Sequence, residues 1–430
     1  MKLKTFLQSD SGAGTLLVVA AVLAMVVANS SLATPYAATL AADLKIGFGA
    51  LSLSKSVLHW INDGLMAVFF LFVGLEIKRE LVAGELARFR QAIIPIAGAI
   101  GGMVVPALVY VAILRGGAGS QGWGVPVATD IAFALGVLML AGSRVPFGLK
   151  VMLLALAITD DIGGILIIAL FYSDGISTGP LALAGGTVAL CLVLRQAGIW
   201  YFPLYWVIGA VGWAATLESG IHPTIFGVVM GLLTPWQAWR PAGGFVARMR
   251  ALVARVQEVY DPETQQATHG DQVALSLEIA SEAHEHVSPL DRLEHALSPF
   301  SAYVIAPLFA FANAGVAVDA STLGDALRAP VAQGVFLGLV LGKPLGILLA
   351  IRIAVALGAR LPEGVTWGSI AGLGIVAGIG FTVALFIAGL SFEEAALLTD
   401  AKLGILAASL VAGILGWTVL RLVHAPRDTA

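Results

Sequence analysis

The chain is poor in charge. Asp, Glu, Lys and Arg together make up 12% of its 430 residues, about half the share of an ordinary soluble domain. That scarcity excludes the solvated surface a globular enzyme of this size needs. Cysteine is nearly missing as well. The single Cys191 rules out an internal disulfide framework and any cysteine-ligated metal or iron–sulfur centre. A net charge of −3 gives no electrostatic reason to expect a nucleic-acid partner. No phosphate-binding loop of the Walker type is present, because Gly342-Lys343 runs into Pro344.

What remains is 58% hydrophobic, with 50 glycines. Spans of about 20 residues predict a polytopic all-α membrane protein of about twelve helices, near 13–32, 58–76, 92–114, 122–142, 151–172, 177–194, 199–217, 220–235, 296–316, 330–351, 366–391 and 401–420. The first follows Lys2 and Lys4 as a signal peptide would, but its uncharged run extends to Ala42, which is too long for a cleaved leader. With both termini inside, eighteen Lys and Arg fall on the cytoplasmic side and four (Lys45, Lys55, Arg115 and Arg328) outside. The positive-inside rule therefore puts both ends in the cytoplasm. Residues 1–430 read as one transporter domain interrupted by a long polar cytoplasmic loop at 237–291, expected to be partly helical near 247–259. Its histidines also allow a pH-responsive role.

Ionisable groups inside a bilayer are costly and usually functional. Span four holds Asp130, span five Asp160 and Asp161, and span ten Lys343. An internal ion pair would account for Lys343 alone. It does not account for two adjacent carboxylates, because neighbours on a helix point about 100° apart and one lysine cannot neutralise both. Asp63, near the outer end of span two, is as consistent with contact to water as with a role. Pro126 just ahead of Thr129-Asp130, and Gly374, Gly378 and Gly380 in span eleven, predict two broken helices, in spans four and eleven. Spans three to five and ten to twelve become candidates for an inverted repeat. At such a crossing Asp130 would offset amide ends and Lys343 carbonyl ends. The oxygens of Asp160, Asp161 and Thr129 suit a hard cation such as Na⁺, with protons competing for the same groups. That competition is the chemistry of exchange.

These residues also resemble a known family. Residues 128–136 (Ala-Thr-Asp-Ile-Ala-Phe-Ala-Leu-Gly), 155–161 (Ala-Leu-Ala-Ile-Thr-Asp-Asp), 60–63 (Trp-Ile-Asn-Asp), 74–81, 307–315, 342–346 and 378–382 closely resemble the bacterial NhaA sodium/proton antiporters, in order over about 10–425 apart from the long loop. The resemblance implies electrogenic exchange of one Na⁺ or Li⁺ for two protons in the bacterial inner membrane, serving pH and sodium homeostasis. No cofactor is implied. It assigns Asp161 as principal cation ligand, Asp160 as its proton-coupling partner paired with Lys343, and Thr129 and Asp130 to the broken-helix assembly. Glu76, Arg79, Glu80, Glu294 and His295 match its pH-response cluster, which reads equally as interfacial ion pairing. A β-hairpin at 45–56 would serve a homodimer. Three departures stand out: the polar loop is longer than in the family, Ser298 replaces a second histidine, and Pro223 follows His222 where alanine is expected.

A cation-coupled symporter of a small organic solute is the alternative, but its site needs more donors than the compact mid-depth set offers. An intramembrane aspartyl protease needs a Gly-x-Gly-Asp motif, whereas Gly378-Ile379-Gly380 is followed by Phe381. The chain reads as a transporter, not an enzyme. A passive scaffold does not explain four buried charges.

Overall fold

A computed structural model describes residues 10–48, 51–142, 145–173, 175–199, 201–238, 244–259, 269–318, 324–325 and 328–424. Both chain ends, and Arg144 and Arg240 of the charge count, lie outside them. The described chain is helical except for one hairpin. The elements are α1 (Asp10–Ala28), α2 (Ala33–Ala41), β1 (Asp43–Phe48), β2 (Leu51–Ser56), α3 (Val57–Ala83) and α4 (Phe89–Leu114). They continue with α5 (Ser120–Val127), α6 (Ile131–Leu140), α7 (Phe147–Phe171), α8 (Thr178–Gln196), α9 (Phe202–Glu218) and α10 (Pro223–Leu233). The chain then forms α11 (Phe245–Val259), α12 (His269–Glu285), α13 (Pro289–Asn313), α14 (Pro330–Ala356), α15 (Trp367–Ala377), α16 (Phe381–Ser391) and α17 (Ala395–Val423).

Seven of these are long and apolar enough to cross a bilayer unaided, and three bent pairs raise the number to ten. The apolar helices α9 and α10, of 17 and 11 residues, occupy the places of expected spans seven and eight. Every expected span therefore has a helix. Expected span one, 13–32, ends early: α1 stops at Ala28 and α2 leaves at 111° to it. Spans four and eleven are the expected broken helices, α5–α6 bent by 42° and α15–α16 by 45°.

Close helix contact is made with small residues, since lipid gives no hydrophobic force between helices. Helix α4 lies against α14 with Gly101 facing Gly346, where a side chain on either would run into the other's backbone. Helices α3 and α10 meet the same way at Gly74 and Gly231. Helix α14 widens to a π turn over Gly338–Gly342, where Lys343 N–H bonds the Gly338 carbonyl. Pro344 gives the reason: a proline has no N–H to offer and crowds the carbonyl four residues back, and a wider turn relieves both faults. The Ser301–Ile305 π turn of α13 precedes Pro307 in the same manner. Pro223, one of the departures from family pattern, is the first residue of α10, where a missing N–H costs nothing.

The polar loop is more ordered than its composition suggests. Helix α11 matches the expected helical stretch, and α12 is a second helix in the same loop. The two pack as a hairpin through Arg255–Glu278 at 2.7 Å and an Arg248–Glu282 ion pair. The turn at 260–268 lies outside the described residues. Strands β1 and β2 pair antiparallel from Asp43↔Ser56 to Phe48↔Leu51, which places a β-hairpin where one was expected.

Candidate ion-binding site

The two breaks cross and bond to each other. Asp130 N–H donates to the Ile379 carbonyl at 2.7 Å. Gly378 and Gly380 have φ of −68° and −91°, ordinary values, so glycine is needed here for space rather than for conformation. A Cβ on Gly378 would stand 2.5 Å from the Leu339 carbonyl oxygen, and one on Gly380 3.2 Å from that of Ala128. Pro126 packs against Gly338, where a Cβ would lie 2.7 Å from the proline ring.

A broken helix leaves unpaired amides at one stub and carbonyls at the other. Asp130 serves the amide ends of both breaks. Its Oδ1 accepts from Phe133 N at 3.0 Å, capping α6, and its Oδ2 accepts from Thr382 N at 3.1 Å and Thr382 Oγ1 at 2.6 Å, at the start of α16. The carbonyl ends are divided. Lys343 Nζ donates to the Val127 carbonyl at the end of α5, whereas Thr129 Oγ1 lies 3.0 Å from the Ala377 carbonyl at the end of α15. The expectation that Lys343 would serve the carbonyl ends therefore holds for one break only.

Lys343 Nζ also lies 2.9 Å from Asp160 Oδ2, with both side chains fully buried. Thr129 Oγ1 reaches the same Oδ2 at 2.8 Å. The second oxygen, Asp160 Oδ1, is buried with no hydrogen-bond partner. The next residue, Asp161, is 8% exposed and makes no hydrogen bond or ion pair among the described residues. Glu76, Asp160, Asp130 and Lys343 all lie within electrostatic reach of it. Five ionisable groups thus lie within electrostatic reach of one another around Asp161, with one cation set against four carboxylates. Among the described residues no three His, Cys, Asp or Glu side chains are grouped closely enough to hold a metal ion between them.

The other expected cluster is partly assembled. Arg79 pairs with Glu294. Glu80 Oε1 accepts from the amides of Glu85 at 2.7 Å and Leu86 at 3.4 Å, tying down the turn after α3. Glu76 lies within electrostatic reach of Glu294, Arg79 and Glu80 and also of Asp161, and so is shared by the two clusters. His295 is exposed and lies within electrostatic reach of Glu294.

Two features escaped the sequence reading. Thr382 closes the 378–382 stretch with no charge to mark it, yet it ties Asp130 to the second break. Asp63 is buried rather than wet: His59 Nε2 stands 2.6 Å from its Oδ2 and His222 Nε2 3.4 Å from its Oδ1. The i,i+4 spacing of His59 and Asp63 was the available signal. His222 is 159 residues distant and gave none.

Fold and site together are those of a polytopic membrane protein built around buried ionisable groups where two broken helices cross. The family model described as Na+/H+ antiporter 1 matches residues 4–420. The chain is 46% identical to the Na(+)/H(+) antiporter NhaA of Oleidesulfovibrio alaskensis over 99% of this chain and 94% of that protein. It is 44% identical to Na(+)/H(+) antiporter NhaA 2 of Sorangium cellulosum over 99% and 91%. The solved structure of the sodium proton antiporter MjNhaP1 from Methanocaldococcus jannaschii shares the fold at a TM-score of 0.50 and 13% identity, covering 98% of this chain and 99% of that one. The chain belongs to the Na+/H+ antiporter 1 family.

Proposed function

We propose that this protein is a secondary active Na⁺/H⁺ antiporter, not an enzyme, and that exchange takes place at Asp160 and Asp161. The observation that carries this reading is the unequal state of the two carboxylates. Asp160 has one oxygen committed to Lys343 and Thr129 and one buried without a partner, while Asp161 has none committed. A partly dehydrated cation can take the Asp161 oxygens, Asp160 Oδ1 and the Thr129 hydroxyl as ligands. When protons arrive instead, Asp161 is neutralised and the cation leaves. Protonation of Asp160 breaks its ion pair and leaves Lys343 held by the Val127 carbonyl. Two carboxylates emptied by one monovalent ion and refilled by two protons make the cycle electrogenic. Li⁺, a smaller hard cation, fits the same donors.

Further readings support a working orientation. The lysine and arginine asymmetry supports a cytoplasmic side for both termini and for the α11–α12 hairpin, in a bacterial inner membrane and with 1–430 as one transporter domain. Helices α4–α7 and α14–α17, each containing one broken pair of nearly equal bend, form the two halves of an inverted repeat. Glu76, Arg79, Glu80, Glu294 and His295 communicate cytoplasmic pH to the carboxylates, with Glu76 as the link. The β-hairpin at 45–56 serves a homodimer, and sodium and pH homeostasis is the physiological task.

The test is reconstitution in vesicles carrying a pH gradient. Na⁺ and Li⁺ dissipate the gradient, K⁺ does not, and a membrane potential alters the rate. A gradient unmoved by Na⁺, or moved equally by K⁺, overturns the proposal.

A further inference from the structure

The helix that follows each broken pair ends on a residue whose side chain reaches back to the first half of that pair. Helix α7 ends at Phe171, and the next residue, Tyr172, donates its hydroxyl to the Gln121 carbonyl of α5 at 2.8 Å. Helix α17 ends at Val423, and the next residue, His424, places Nε2 3.2 Å from Ser369 Oγ of α15. The residues just before them correspond as well. Phe171 meets Trp123 of α5 edge to face, with ring centroids 5.1 Å apart. Val423 packs on Gly368 of α15, where a Cβ would stand 3.0 Å from its Cγ2. Neither side chain is needed to finish its own helix, since Tyr172 N–H already bonds the Ile168 carbonyl and His424 N–H the Leu420 carbonyl, both at 3.1 Å.

Each brace holds the far end of a half-helix whose near end belongs to the ion site. Gln121 stands six residues before Val127 on α5, and Ser369 eight before Ala377 on α15. At about 2.0 Å per residue for a 3₁₀ helix and 1.5 Å for an α-helix, both spans come to about 12 Å. Ser369 is fully buried and shares the capping box of α15 with Thr366, so whatever holds Ser369 holds the first turn. The two near ends then converge on one atom. The Val127 carbonyl accepts from Lys343, the Ala377 carbonyl lies 3.0 Å from Thr129 Oγ1, and Lys343 Nζ and Thr129 Oγ1 both contact Asp160 Oδ2. A half-helix that slid along its axis would carry one of these donors away from the carboxylate. The 3₁₀ stub α5 is the more exposed to such a slip, because its i→i+3 bonds are poorly aligned.

We propose that Tyr172 and His424 are positioning residues for sodium exchange, a pair of braces that fix α5 and α15 along their axes and so hold Lys343 and Thr129 on Asp160. The inference rests on the antiport reading of that carboxylate. End-packing with no bearing on the site predicts a loss of stability alone. Positioning predicts a loss of sodium affinity as well, because the donors around Asp160 are displaced while both carboxylates and their protons remain.

The experiment compares the full-length Tyr172→Phe and His424→Ala proteins with wild type in vesicles carrying a pH gradient, over a range of Na⁺, with Tm measured on the same preparations. Each variant removes one brace and leaves every residue of the ion site in place. Each raises KM for Na⁺ about three- to tenfold, the equivalent of one hydrogen bond, while the maximal rate stays near wild type. The double variant raises KM beyond either single one. His424→Gln, whose amide still reaches Ser369, returns KM towards wild type. Ser173→Ala is the control, because it removes a neighbouring hydroxyl whose bond, to the Ala169 carbonyl at 3.0 Å, stays within α7. Its KM is unchanged. If the tyrosine variant does not fold, His424→Ala and its Gln rescue carry the test. Folded variants with the wild-type KM overturn the proposal, as does a shift of equal size in Ser173→Ala or a fall in maximal rate with KM unmoved. No exchange by wild type removes the antiport reading and this inference with it, whereas exchange by wild type and unmoved variants remove this inference alone.

Discussion

Lys343 reaches Asp160, not Asp161, at 2.9 Å, and in the same pose it donates to the broken end of α5 at Val127. One ammonium therefore neutralises a carboxylate and a helix stub together. Among the described residues Asp161 is left without an ion-pair partner of its own.

Asp161→Asn removes the uncommitted carboxylate and abolishes Na⁺-dependent proton movement in vesicles, with Tm close to wild type because no hydrogen bond is lost. Asp160→Asn also abolishes exchange. Undiminished transport in both variants would remove the proposed site.

Lys343→Ala leaves Asp160 buried with only Thr129 as donor and exposes the Val127 carbonyl to an apolar environment. Breaking one side of a buried pair costs about 3–5 kcal/mol, so thermal unfolding falls markedly. Adding Asp160→Asn to Lys343→Ala recovers part of the loss, since the orphaned charge goes with it. A Lys343→Ala protein of wild-type stability contradicts the pairing.

Thr382→Val keeps the shape of α16 but takes the 2.6 Å hydroxyl bond from Asp130. The expected cost is about 1–3 kcal/mol, with slower exchange because the two breaks are less firmly joined. Single-turnover proton release in vesicles and a melting curve check the two effects separately.

How much of this was legible follows from where each partner comes from. Asp160, Asp161 and Lys343 were visible as charges in long apolar runs, because a bilayer punishes such residues and their depth follows from helix rise alone. Pro126 and the Gly378–Gly380 run marked both breaks. The choice of Asp160 by Lys343 is a matter of helix rotation, which the resemblance supplied and spacing did not. The contacts of Thr382 with Asp130 and of His222 with Asp63 join residues 252 and 159 positions apart, and no local pattern encodes them. The α11–α12 hairpin was hidden for another reason: its partners lie across two helices, which bury Leu252 and Leu275 and pair Arg248 with Glu282, while its composition reads as a solvated loop.

The hairpin leads directly into α13, which bears Glu294. Deleting part of 258–285 is therefore expected to shift the pH profile of exchange while leaving its maximum near wild type. An unchanged profile would make the hairpin a tether. Arg255→Ala is the control: its pair with Glu278 is exposed and worth about 0–1 kcal/mol, so both profile and stability stay put.

The most direct measurement is equilibrium Na⁺ binding to the purified protein across a range of pH. Proton and cation compete for the same oxygens. Below the titration of the carboxylates the apparent Kd therefore rises about tenfold per pH unit for one competing proton, and more steeply for two, whereas above it the affinity levels off. A sodium affinity that is flat across that range would contradict a shared site at Asp160 and Asp161.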